Sequence, residues 1–254
     1  MRLYMKYFSM HLRRQLHYRL SFFFITFGQA CVAATSLIAI VFLIPSGVAV
    51  MGFTRNEVLL AGAIINLSYA LAECFARGFD QLGAMIQRGD FDRAIVRPVS
   101  EIAQIFMMTI EFTRLGRFSI ALLTLMIVLT QLPALPLWYL IFLVLTGSFV
   151  YMCLFIIYGS ICFYTTENLE FFNILTDGTK EFGKAPFAFY VESVLKFLTY
   201  ILPLALIQYY PLLYLLGKSE RLFYAWSPLL AYLFVLPTSL IWKQARKHYG
   251  STGS

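Results

Sequence analysis

Runs of apolar residues near 21–44, 58–76, 112–132, 138–163, 191–209 and 224–242 leave this chain few folds to adopt. A helix needs about 20 such residues to cross the hydrocarbon of a bilayer. The runs lack the two-residue alternation of a strand barrel. An all-α, polytopic membrane protein with six transmembrane helices is therefore expected. Only 13% of the 254 residues are charged and 60% are hydrophobic, whereas soluble domains carry about 25% charged residues. Too few charges exist to clothe a water-soluble surface. The third run is ragged, with Glu111, Arg114 and Arg117 at its start, and Pro203 interrupts the fifth.

Lysine and arginine collect in the connections that stay in the cytoplasm. With six crossings, one side holds Arg13, Arg14, Arg88, Arg93, Arg97, Lys180, Lys184, Lys243 and their neighbours. The other holds only Arg55, Lys218 and Arg221. Both termini are thus expected in the cytoplasm, with the chain in the cell (inner) membrane. The net charge of +7 suits anionic headgroups. No soluble basic domain exists for a nucleic acid. Cys31, Cys74, Cys153 and Cys162 lie in apolar runs without a C-x-x-C pair or Cys/His cluster, so neither a metal site nor a disulfide framework is expected.

Residues 1–20 are not a span. On a helix, Arg2, Lys6, Arg13 and His17 fall on one stripe and most of the remaining surface is apolar. That pattern fits a helix lying in the inner interface, its histidines bystanders there. A signal peptide competes, but its apolar region is only about 7–15 residues. A single transmembrane domain, 1–249, is expected, followed by a flexible tail at 250–254.

The inner connection at 77–111 is polar where its surroundings are not. Phe79, Leu82 and Ile86 recur at helical spacing, so a short amphipathic helix is expected over 79–88. Gly89 can end it in a left-handed conformation. Arg97-Pro98 then imposes an extended turn, and Ser100 can cap the next helix. Asp90, Asp92, Arg93 and Arg97 would be displayed on a cytosolic elbow. An ordinary solvated loop would have a similar composition.

The segment Arg88-Gly-Asp-Phe-Asp-Arg-Ala-Ile-Val-Arg-Pro-Val-Ser100 resembles a stretch found in permease subunits of type-2 ATP-binding-cassette (ABC) transporters. Ala94 departs slightly from it, a larger aliphatic being common there. A weaker likeness runs through Pro186, Tyr190, Pro203, Tyr210 and Pro211, similar to that family's fifth span and outer re-entrant element, here 203–217. The resemblance implies a non-enzymatic transport subunit that pairs with a second permease, identical or different. Two copies of a separate ATPase, which holds ATP and Mg, would bind the pair. It implies a coupling helix docking on the ATPase through Phe79, Leu82, Ile86, Arg88, Gly89, Asp90, Phe91, Asp92, Arg93, Arg97 and Pro98. Export of an amphipathic or hydrophobic substrate would follow.

Gly217-Lys218-Ser219 imitates the end of a P-loop, but Leu212 stands where that loop needs glycine. Glu73 and Arg77, Glu111 and Arg114, and Glu192 and Lys196 have helical spacings that let each pair neutralise itself near an inner membrane face. Gln29, Thr35, Ser36, Asn66 and Ser68 are mid-span polar residues that suit helix contacts or a substrate path. Gln29, Asn66, Tyr209 and Tyr210 are the candidates for that path. The alternative is an ion-coupled secondary transporter with six spans. Such proteins place acids or broken helices at the midplane, and the acids here are expected to avoid it.

Overall fold

The structure is a computed structural model that describes residues 2–45, 47, 49–165, 177–184 and 189–250. Tail residues 251–254, Pro186 and much of the 164–190 connection lie outside the described residues. Helices α1 (Arg2–His17), α2 (Arg19–Leu43) and α3 (Arg55–Ala76) are followed by a 3-10 turn at Arg77–Gln81. Next come α4 (Leu82–Gln87), α5 (Asp90–Val96), α6 (Glu101–Met108), α7 (Leu115–Leu129) and α8 (Leu137–Thr165). The chain ends with α9 (Thr179–Gly183), α10 (Glu192–Tyr200), α11 (Tyr209–Leu215), α12 (Leu222–Ala231) and α13 (Val235–Arg246).

Among the described residues, five helical stretches are long and apolar enough to cross a membrane: Arg19–Leu43, Arg55–Gln87, Phe112–Leu129, Leu137–Thr165 and Leu222–Arg246. The expected crossing near 191–209 is instead divided into α10 and α11, joined by turns. Pro203 supplies no backbone N–H, and its ring crowds the carbonyl four residues earlier. The free carbonyl of Leu198 accepts the N–H of Ala205 at 2.9 Å. Helix α11, within the expected outer element at 203–217, closes on Gly217, whose φ of 66° favours glycine. Lys218 N–H donates to the Leu213 carbonyl at 2.9 Å and Gly217 N–H to that of Tyr214 at 3.1 Å. These two bonds satisfy carbonyls that the helix end leaves open.

Helix α3 is the central post. It packs against α7 and α8, while α2 leans on α7 and α13 on α8. Its small residues Ala61, Gly62, Ala63, Ser68, Ala70 and Ala72 let neighbours approach closely. At Gly147 of α8, an added Cβ would collide with Ser68 Oγ. Thr54 and Glu57 close a capping box at the start of α3, and Lys218 holds Glu57 at 2.7 Å.

Helix α1 turns its cations outward, with Lys6, Arg13 and His17 exposed. Its other side docks on α6. His11 is not the bystander expected: it is buried, and its Nε2–H donates to the Met107 carbonyl at 3.1 Å. Gln15 gives its amide N–H to the Ile110 carbonyl at 2.6 Å and accepts the Phe112 N–H at 3.0 Å. Those two backbone groups lie in the stretch between α6 and α7 and gain their partners from the side chain.

Candidate functional site

The elbow after α3 is built from the inside out. Phe79, Leu82, Ile86 and Phe91 are fully buried in the main core. Phe91 packs edge-on against Phe163 and Tyr249, at 5.1 and 5.0 Å between ring centroids. Phe79 meets Phe106 at 5.1 Å and Trp242 at 6.0 Å. Those four apolar residues, read from sequence as part of a docking surface, hold the elbow from beneath. The outer rim is formed by Arg88, Arg93, Val96, Arg97 and Pro98, all exposed. Val96 is 85% exposed, a large share for an aliphatic side chain.

Gly89 makes the bend, with φ 70°, between α4 and α5. Of the helix expected over 79–88, α4 covers only Leu82–Gln87, and Phe79 lies in the 3-10 turn before it. Ser100 caps α6 as expected, its oxygen accepting the Ala103 N–H at 3.3 Å. Helix α5 was not expected. The available signal was acidic residues in a first turn, Asp90 and Asp92, with Phe91, Ala94 and Ile95 at helical spacing. Gln104 of α6 locks the far side, donating to the carbonyls of Ala94 at 2.7 Å and Val99 at 2.8 Å. Asp90 lies 3.4 Å from Arg88 and 3.6 Å from Arg93. Asp92 is tied inward, accepting the Tyr249 hydroxyl at 2.7 Å. Removal from water and this bond push the Tyr249 phenol up to about 12.

Just behind the elbow lies a charge cluster that sequence spacing had divided into separate pairs. Glu73 is 2% exposed. It takes Arg77 at 3.2 Å, Arg114 at 3.3 Å and Arg117 at 2.9 Å. Arg77 also reaches Asp80 at 2.9 Å, and Arg114 reaches Glu111 at 2.8 Å. Each guanidinium therefore touches at least one carboxylate, as burial requires. Arg117 additionally donates to Gln29 Oε1 at 2.8 Å. The cluster thus joins α2, α3 and the start of α7 where α3 passes into the elbow.

Of the candidate path residues, Tyr209 and Tyr210 meet, at 5.4 Å between ring centroids, but Gln29 and Asn66 lie apart from them. Gln29 belongs to the charge cluster. Asn66 is 1% exposed and donates to the Gly62 carbonyl of its own helix at 2.9 Å. Tyr209 packs on Phe53 at 6.4 Å. Tyr210 lines a cavity of about 680 Å³ with Thr199, Pro203, Arg221, Tyr224 and Phe234. Its hydroxyl is 3.3 Å from that of Thr199.

The family model described as "ABC-2 family transporter protein" matches residues 30–253. Neither the curated proteins nor the solved structures include a match. The matched span covers most of the chain and takes in the elbow, the charged residues of the cluster and the divided element at 192–215. The apolar helices make this a multi-pass membrane protein, and by the extent of that match the chain belongs to the ABC-2 family of transporters, whose permeases associate with an ABC ATPase.

Proposed function

We propose that this chain is the permease subunit of an ABC exporter, embedded in the inner membrane with both termini in the cytoplasm. It makes no catalytic contribution of its own. Two ATPase copies, holding ATP and Mg, dock on a pair of permeases, and their closure drives an amphipathic or hydrophobic substrate outward. The observation carrying this reading is the contrast within the elbow: an exposed basic rim on a buried aromatic base. Such a rim can receive a push, and its base can pass the push on. The 3-10 turn Arg77–Gln81 runs straight from α3 into α4, and the charge cluster ties that end of α3 to α2 and α7.

Arg93 and Arg97 are the residues to test, because Asp92 is engaged with Tyr249. Arg93→Glu with Arg97→Glu, reconstituted with the ATPase, is expected to lower ATP-driven transport by about tenfold or more, the scale of losing well-placed interfacial charges. Insertion and yield should not change. Undiminished transport by the double variant would remove the elbow from the docking surface.

One observation favours the competing ion-coupled reading: charged residues do lie deep in the bundle, at α9. An imposed proton or sodium gradient decides between the two. Uptake driven by a gradient without ATP would support that alternative, and strict ATP dependence the permease.

A further inference from the structure

Sequence places residues 177–184 in a connection outside the bilayer. The structure lays them along α3. Asp177 accepts the Tyr69 hydroxyl at 2.7 Å. Lys180 Nζ stands 4.7 Å from the centre of the Tyr69 ring. Further along, a Cβ added to Gly183 would stand 3.2 Å from the Ile65 side chain. One added to Gly62 would meet the Lys184 carbonyl at 3.4 Å. The segment therefore follows α3 from Tyr69 back to Gly62. Ile65 is midway along that 22-residue helix, whose length of roughly 33 Å matches a bilayer core. Helix α9 accordingly packs beside the middle of α3.

The charges there are unequally sheltered. Lys180 and Lys184 are buried. Lys180 reaches Asp177 at 3.2 Å, and Lys184 is paired with Glu181. The carboxylates are open: 45% of the Asp177 side chain and 58% of that of Glu181 are exposed. A carboxylate facing hydrocarbon near the bilayer centre costs several kcal/mol, so such groups face a water-filled cavity or another protein. The neighbouring lysines lower the cost of charge but do not hydrate the exposed oxygens. On the far side, Arg117 lies 5.4 Å from the same Tyr69 ring. Polar groups thus continue from the Glu73 cluster to α9 with Tyr69 as the link.

We propose that the Asp177–Glu181 edge lines a water-filled passage at mid-membrane depth, along which the polar part of an amphipathic cargo moves. The cargo rests on the permease reading, whereas the water-filled passage can be measured without it. The experiment is aqueous labelling of Glu181→Cys in membrane vesicles, in the full chain with Cys31, Cys74, Cys153 and Cys162 replaced by alanine. The probe is a membrane-impermeant methanethiosulfonate. Ile38→Cys is the control: Ile38 is half exposed and adjoins Leu37, whose side chain reaches the Gly62 position. It therefore marks a similar depth on the exposed face of α2, beside the same Gly62 position that the Lys184 carbonyl adjoins.

The thiol of Glu181→Cys should react about tenfold faster or more than that of Ile38→Cys, as water access against hydrocarbon requires. Equal rates at the two positions overturn the proposal, whether both are slow or both fast. So does a thiol at 181 that resists the probe and cross-links to a second copy, since a subunit would then cover the edge. If Glu181→Cys does not insert, Asp177→Cys gives the same reading. Failure to find ATP-driven transport would leave the labelling result intact, so loss of the cargo reading and loss of the passage are separable.

Discussion

Helices α2 and α3 are both apolar and of similar length, yet they live in different surroundings. Helix α3 is buried along almost its whole length, whereas only Ala33 and Leu37 are buried in α2. Apolarity therefore accounts for insertion in both cases but not for packing. Lipid tails are as apolar as leucine, so close helix contact depends on shape and polar bonds. Helix α3 offers alanines, Gly62 and Ser68; α2 opens with Phe22, Phe23, Phe24 and Phe27. Side-chain size therefore separates the post from the outer stave better than hydrophobicity does.

The sharpest way to break this comparison is to remove the charge that α3 buries. Glu73→Gln leaves Arg77, Arg114 and Arg117 facing a neutral amide. Breaking a buried ion pair costs about 3–5 kcal/mol, so a large loss of folded protein is expected by fluorescence-detected size exclusion in detergent. Unchanged thermal stability would show that the cluster is hydrated and cheap to disrupt.

Next in size is Gly147→Leu, which forces α8 away from Ser68. Overpacking of this kind costs about 1–3 kcal/mol, and a clear fall in melting temperature should be seen. The Ser148 hydroxyl, which donates to the Ser68 carbonyl at 3.0 Å, would lose that partner as well.

Tyr249→Phe removes one bond to the elbow, worth about 1.5–3 kcal/mol for a charged acceptor, reduced here by partial solvent exposure. The bond also gives a pH signature. The phenol is held at about 12, above its ordinary value near 10. Its contribution is complete below pH of about 10 and disappears as pH rises through about 12. Wild type and Tyr249→Phe should therefore converge in stability at high pH. A gap that persists beyond that range would assign the effect to packing.

Smallest of all is Phe24→Ala. Phe24 is 65% exposed, and a change within about 0.5 kcal/mol is expected, as for other surface positions. A large loss would mean that α2 is covered in the assembly.

The apolar runs placed four crossings to within a few residues, since composition and length decide insertion. The last is less regular: Pro228 lies within α12, and a 3-10 turn at Tyr232–Phe234 precedes α13. The divided element at 192–215 was visible as Pro203 within an apolar run and through the weaker family likeness at 203–217. The elbow was half legible. Gly89, Pro98 and Ser100 are local signals, but burial of Phe79 and Phe91 depends on Phe163, Trp242 and Tyr249, which are remote in sequence. The charge cluster was illegible for the same reason, because helical spacing pairs Glu73 with Arg77 and says nothing of Arg117, which lies 44 residues away. Lys180 and Lys184 pack against α3, a placement that the positive-inside argument, which only counts charges in connections, does not address.

That separation also bears on biogenesis. When α3 leaves the ribosome, Glu73 has only Arg77 and Asp80 near it in the nascent chain. Arg114 and Arg117 are synthesised later, with the elbow made in between. Until α7 arrives Glu73 can pair only with Arg77, and an acidic group so thinly partnered is costly among acyl chains. Assembly of the central post is therefore delayed by translation itself, and the elbow emerges before the helix it serves is fully seated.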